Sequence, residues 1–130
     1  MNKFEDVEVG LCTFDREFPR GLSLNLSDMV EVTDESASWP HADSPGVYVM
    51  LDQDLNLLYI GKASCGANIG SRLGKYFDKT GRTRLGMEKF ANVKFVSALH
   101  LPSDRAFEAP AIEEYLISQL NPPLNVVGKN

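Results

Sequence analysis

Two triplets, Gly46-Val47-Tyr48 and Tyr59-Ile60-Gly61, face each other along the chain with ten residues between their tyrosines, and this pair constrains the fold more than any other feature. Val47-Tyr48-Val49-Met50-Leu51 and Leu57-Leu58-Tyr59-Ile60 are short runs rich in β-branched and aromatic residues. Asp52-Gln53-Asp54-Leu55-Asn56 between them has turn chemistry, so the segment predicts a β-hairpin. The two-residue period of a strand sets Tyr48, Met50 and Asp52 on one face and Val47, Val49 and Leu51 on the other. Tyr59 and Gly61 share a face of the second strand. Glycine at each end, Gly46 and Gly61, leaves room for a backbone or a phosphate to come where a side chain would block it.

Beyond the hairpin, Lys62 follows the second triplet, and Ile69, Leu73, Tyr76 and Phe77 recur at helical spacing. They predict a short amphipathic helix over 69–77 with Asn68 as its N-cap. Arg72 and Tyr76 stand one turn apart on the flank of its apolar stripe, where an arginine can grip a phosphate bidentately as lysine cannot. A solvated surface arginine is the plain alternative. A last helix is expected to begin near Asp104 and end at Asn121-Pro122-Pro123, with Pro110 in its first turn or at a kink. Ile112, Tyr115, Leu116, Ile117 and Leu120 form its apolar arc; Glu113 falls inside that arc and Glu114 outside. A carboxylate turned toward a core must be paired, protonated or bound to a cation. Glu113 is therefore the metal-ligand candidate, with an ion pair to Arg72 or Lys62 as the other reading.

These residues together, Gly-Val-Tyr, Tyr-Ile-Gly with Lys62, Ser71-Arg72-Leu73 with Tyr76-Phe77, and Glu113 followed twelve residues later by Asn125, resemble the GIY-YIG endonuclease superfamily in its UvrC-type version. The resemblance runs from about Ser44 to Val127, and residues 1–43 have no counterpart in it. It implies a mixed α+β fold, a central sheet of three or more strands flanked by helices, to which the N-terminal extension has room to add strands. It also implies hydrolysis of a nucleic-acid phosphodiester, DNA foremost, with one divalent metal ion, magnesium or manganese. By match of position, Tyr48 or Tyr59 would orient or deprotonate the attacking water, Arg72 would stabilise the phosphate, and Glu113 would hold the metal. Gly46, Gly61, Lys62, Tyr76 and Asn125 would support the site. A free tyrosine titrates near ~10, so a tyrosine base needs a cation beside it, which Lys62 and Arg72 can supply. One carboxylate with substrate oxygens and waters is enough for Mg²⁺, and a dense Asp/His cluster is not required.

Charge qualifies this expectation. The 130-residue chain has a net charge of −5, whereas a nucleic-acid binder usually leans basic. Residues 1–61 carry three basic and twelve acidic side chains, but residues 62–94 carry eight basic and two acidic. The basic block includes Lys75, Lys79, Arg82 and Arg84, the expected nucleic-acid contacts, and coincides with the expected active face. The acidic N-terminal segment offers itself to a protein partner. A catalytically silent module that keeps the fold and binds nucleic acid or protein is the alternative to a nuclease.

At 43% apolar residues the chain can bury a core without staples. Cys12 and Cys65 are too few for a disulfide framework or zinc site, and His41 and His100 read as lone histidines. No run approaches the ~20 apolar residues of a membrane span, which predicts a cytoplasmic protein without membrane contact. Residues 1–43 are expected to pack on the 44–130 domain, with Leu22-Ser23-Leu24-Asn25-Leu26 alternating like a strand, Met29-Val30-Glu31-Val32 able to pair with it, and Trp39 anchoring a loop. A short helix around Leu85 to Phe90 and a central strand over Val93 to Leu99 complete the expected elements.

Overall fold

The computed structural model describes residues 1–21 and 23–125. Its centre is the expected hairpin, β2 (Gly46–Leu51) and β3 (Leu57–Ala63), in antiparallel register with Tyr48 opposite Gly61 and Val49 opposite Ile60. The turn holds itself together: one Asp52 carboxylate oxygen accepts from the backbone N–H groups of both Asp54 and Asn56 at 2.9 Å. β4 (Phe95–His100) pairs antiparallel with the other side of β2, and the two-residue β1 (Val30–Glu31) lies beyond it, giving the order β1-β4-β2-β3. β4 is therefore interior, as its apolar run predicts.

Both faces of β2 are buried, and the two-residue period sorts its side chains into two cores. Val47, Val49 and Leu51 join Ile60 beneath α1 (Phe4–Glu17) and α3 (Ala109–Leu120), packing on Val7, Leu11, Phe14, Ile112 and Leu116. Tyr48 and Met50 join Ile69, Leu73, Phe77 and Phe90 on the opposite face, under α2 (Ile69–Leu73). Each fully buried leucine or isoleucine contributes about 1.5–3 kcal/mol, so truncating Leu11 or Leu116 removes a substantial part of the α1–α3 layer's attachment. Buried Glu108 adds a polar tie, accepting from Arg20 after α1 and from Arg105 in the 3-10 turn Ser103–Glu108 that leads into α3.

The N-terminal segment differs from its expectation. α1 is not among the expected elements, although Phe4, Val7, Leu11 and Phe14 recur every three or four residues and Asp6 accepts from the Lys3 N–H at 2.7 Å at its start. Ser23 to Leu26 form no strand, and Leu22 lies outside the described residues. β1 pairs with β4 instead, because Ser27 already occupies the next stretch of that edge: its N–H donates to Ala98 O at 2.8 Å and its hydroxyl accepts from Ala98 N at 3.1 Å.

Three further boundaries shift. α2 is a helix only to Leu73 and continues to Phe77 as turns, where Phe77 bridges to Thr83. The helix expected near Leu85 is a single 3-10 turn, Glu88–Phe90. α3 begins as the 3-10 turn from Ser103, and Pro110 sits in the first turn of the helix proper, where its missing N–H is unneeded.

Candidate active site

Tyr48, on the central strand, is wholly buried, and its hydroxyl lies 2.9 Å from that of Tyr76 after α2. The Tyr76 hydroxyl in turn approaches that of half-buried Tyr59 at 3.5 Å. Three phenols thus gather on the α2 face of the hairpin. Phe90, which is not among the expected site residues, walls the group, its ring 4.7 Å from Tyr76 and 5.1 Å from Tyr59 between centroids.

The glycines explain how the rings fit. A Cβ at Gly61 would come within 2.5 Å of the Tyr48 hydroxyl, and one at Gly46 would fall on the Leu99 carbonyl of β4. The space they open is filled by the protein's own ring and backbone. Asn125 likewise holds the chain's own atoms. Its side-chain oxygen accepts from Ile60 N at 2.9 Å and its amide donates to Ile60 O at 2.8 Å. With Leu124 N on Leu58 O at 2.9 Å, it occupies the outer edge of β3 at the residue between Tyr59 and Gly61.

Arg72 comes from α2, whose start is fixed from two sides. The Asn68 side chain accepts from Ser71 N at 2.7 Å, as the expected N-cap should, and the N–H groups of Ile69 and Gly70 donate to the carbonyls of Ser44 and Ala42 at 2.9 Å. The half-buried guanidinium lies close enough to the Tyr48 hydroxyl for each to shift the other's titration. Burial pushes the Tyr48 phenol up, against the pull of its Tyr76 hydrogen bond and of Arg72. Burial also pushes Tyr59 and Tyr76 up; the Tyr76 hydroxyl adds to the rise at Tyr59, whereas at Tyr76 the Tyr48 hydroxyl adds to it and the Tyr59 hydrogen bond and Arg72 oppose it. All three phenols consequently hold their protons at neutral pH.

Glu113 reaches the same place from α3. Its carboxylate is half-buried, and burial raises it above the usual carboxylate range, while Lys62 and Arg72 pull it back. It also acts on Tyr59, which places one carboxylate, two cations and the outermost phenol within electrostatic reach. Among the described residues, neither Glu113 nor Arg72 has an ion-pair partner, so the ion-pair reading of Glu113 does not hold. Glu114 is exposed, as the helical arc predicts.

Lys75, Lys79, Arg82 and Arg84 are all exposed on the segment that leaves α2. The Asp78 carboxylate shapes this segment by accepting from Thr80 N at 2.8 Å and Arg82 N at 3.1 Å, and Gly81 packs directly on the Val32 carbonyl. The basic surface therefore rests on the N-terminal extension. His41 and His100 are exposed but not lone: their rings stack at 4.5 Å. Among the described residues no helix is long and apolar enough to cross a membrane, and no group of three or more His, Cys, Asp or Glu side chains could hold a metal ion.

The family model for UvrC-like GIY-YIG domains matches residues 44–126. UvrABC system protein C of Pseudomonas fluorescens is 36% identical over 83 residues, 64% of this chain and 13% of that protein. The protein of that name from Hahella chejuensis is 37% identical over 86 residues, again 64% and 13%, and that from Pseudomonas putida is 36% identical over 103 residues, 76% and 16%. The chain thus matches only a small fraction of the length of these relatives. With a family model that matches 44–126, most of the sequence, and a range that takes in the hairpin, α2 and α3, the chain belongs to the GIY-YIG endonuclease superfamily, in its UvrC-like family.

Proposed function

We propose that this chain is a metal-dependent endonuclease that hydrolyses phosphodiester bonds of DNA. The observation that carries the reading is the meeting of Arg72 and Glu113 with the Tyr48–Tyr76–Tyr59 hydroxyls, from two strands, two helices and a turn, in one partly open place. Family membership supports it, as does the exposed basic segment beside the site. The reading puts the protein in the cytoplasm, where it would meet its substrate.

Each residue has a physical role in this reading. Arg72, held at the end of a capped helical turn and without a carboxylate partner among the described residues, donates to two phosphate oxygens at once. Tyr59 is the phenol nearest solvent, and its hydroxyl orients the attacking water. Because burial keeps it protonated, it accepts the water's proton only when bound positive charge lowers its affinity for its own. Tyr76 and Tyr48 fix that hydroxyl from behind. Lys62 adds positive field on the Glu113 side.

Glu113 fits one hard divalent cation: it is a half-buried carboxylate with no ion-pair partner among the described residues, at the open side of the site. A single carboxylate suits Mg²⁺ or Mn²⁺, whose remaining positions would be water and substrate oxygen. When bound, the ion would supply Lewis-acid stabilisation of the phosphate and acidify bound water.

The test is nicking of supercoiled plasmid by the purified protein with Mg²⁺ and with EDTA, alongside Arg72→Ala and Glu113→Ala, each checked for folding by thermal melt. The reading expects metal-dependent nicking by the wild type and losses of at least ~100-fold in both variants. Equal nicking by all three proteins contradicts it, and DNA retention without product in Mg²⁺ or Mn²⁺ favours a silent binding module.

A further inference from the structure

Leu85 is 98% exposed, more than any other large apolar side chain among the described residues, and it stands in the basic segment between Arg84 and Gly86. Scattered surface leucines are ordinary. This one differs in how it is held. Met87 N donates to Arg84 O at 2.9 Å, closing a turn with Leu85 and Gly86 at its two central positions, and Gly86 takes the φ of +86° that a type II turn needs there.

The base of that turn is bolted to the active centre. Arg84 N donates to Tyr76 O at 2.9 Å, and the Arg84 guanidinium Nε donates to Gly74 O at 2.6 Å. Gly86 N donates to the Glu88 carboxylate at 2.9 Å, and Met87 packs into the core beneath α2. With the turn's backbone fixed at these points, the Leu85 side chain stands almost wholly clear of the body. The turn carries a bare isobutyl group on a segment whose exposed Arg82, Arg84 and Lys89 outnumber the one exposed acid, Glu88, and Arg84 just before it is bonded to the backbone of Tyr76, whose hydroxyl meets Tyr48.

An apolar projection among cations has one partner that suits both: stacked bases beneath a phosphate backbone, where leucine can enter between neighbouring steps while the cations hold the strands. We propose that Leu85 is a wedge that inserts into duplex DNA next to the scissile bond, unstacking one step and bending the strand toward Arg72. The proposal rests on the endonuclease reading and adds a substrate requirement to it: duplex that can be unstacked.

The experiment places 2-aminopurine in duplex oligonucleotides and follows its emission in EDTA as wild type, Leu85→Ser and Leu85→Phe are added, with binding measured separately by anisotropy. So exposed a position makes the serine variant neutral for folding. Emission should rise on binding of wild type and Leu85→Phe but not of Leu85→Ser at matched occupancy. In Mg²⁺ the serine variant should nick intact duplex roughly tenfold more slowly or worse, the rate equivalent of part of an unstacking cost, and regain speed on DNA with a ready-made bulge. Identical emission and nicking for wild type and Leu85→Ser overturn the wedge while leaving the nuclease reading intact. A slow serine variant that a bulge does not rescue also overturns it. If wild type binds none of the duplexes the wedge falls as well, and plasmid nicking with Arg72→Ala and Glu113→Ala then judges the nuclease reading separately.

Discussion

Replacing Gly61 by alanine adds one methyl group directly against the Tyr48 ring. The new Cβ would lie 2.5 Å from the Tyr48 hydroxyl, where ordinary contact begins at 3.4 Å, so the oxygen must retreat by about 0.9 Å. It has nowhere to go, since Tyr48 is fully buried among Ile69, Leu73 and Ala98. Gly61 has no left-handed φ, so the penalty is steric alone. Overpacking of this kind costs about 1–3 kcal/mol, offset by about 0.5–1 kcal/mol for removing a glycine from a strand. The melting temperature should therefore fall by something on the order of 5 °C. Activity should fall much further, because the displaced hydroxyl no longer meets Tyr76 at 2.9 Å and a misplacement near one ångström can cost ~100-fold in rate. Thermal melts and single-turnover plasmid nicking read the two effects. A Gly61→Ala protein with wild-type stability and rate would refute the claim that this glycine exists to seat the Tyr48 ring.

Asn125→Ala removes both hydrogen bonds to Ile60 and should cost about 1–3 kcal/mol, with faster hydrogen exchange concentrated at the Ile60 amide; unchanged exchange there would contradict the clamp. Glu113→Gln should stabilise the metal-free protein near neutral pH while abolishing nicking. Burial raises the Glu113 carboxyl in the folded state, so its favourable contribution is complete below the ordinary carboxylate range and is lost as pH rises through the raised value. Melts in EDTA between roughly pH 4 and 8 should show the glutamine variant pulling ahead of wild type as pH rises, and a variant less stable than wild type at pH 8 would refute this. Added Mg²⁺ should raise the wild-type melting temperature and leave that of Glu113→Gln unmoved.

The hairpin, the helix cap at Asn68 and the buried side of α3 were legible because each rests on local pattern: alternation in β2, an Asx cap, and the 3.6-residue arc that separates Glu113 from Glu114. β4 was legible as an interior strand for the same reason. The failures cluster in residues 1–43. α1 is strongly charged, and its stripe of Phe4, Val7, Leu11 and Phe14 becomes an interior only when α3 lies beside it. Alternation in 22–26 pointed to a strand, but strand pairing is decided by which edge is free, and Ser27 and β1 take that edge of β4. The candidate side chains Arg72 and Glu113 could be singled out from type and spacing, and the roles of the tyrosines were implied only by the family resemblance. Residue pattern alone did not bring these residues together, which only the resemblance implied, and no pattern along the chain disclosed the part that Gly46, Gly61 and Asn125 play in holding the protein's own atoms, since both depend on contacts between elements distant along the chain.

Anomalous diffraction from crystals of the protein grown with Mn²⁺ and a short DNA duplex would show the active centre at work. One Mn²⁺ is expected on the Glu113 carboxylate with a backbone phosphate against it, and that phosphate within hydrogen-bond reach of Arg72 on the Tyr59 side. Mn²⁺ bound away from Glu113, or DNA whose phosphates lie far from Arg72 and the three tyrosines, would refute the proposed catalytic centre.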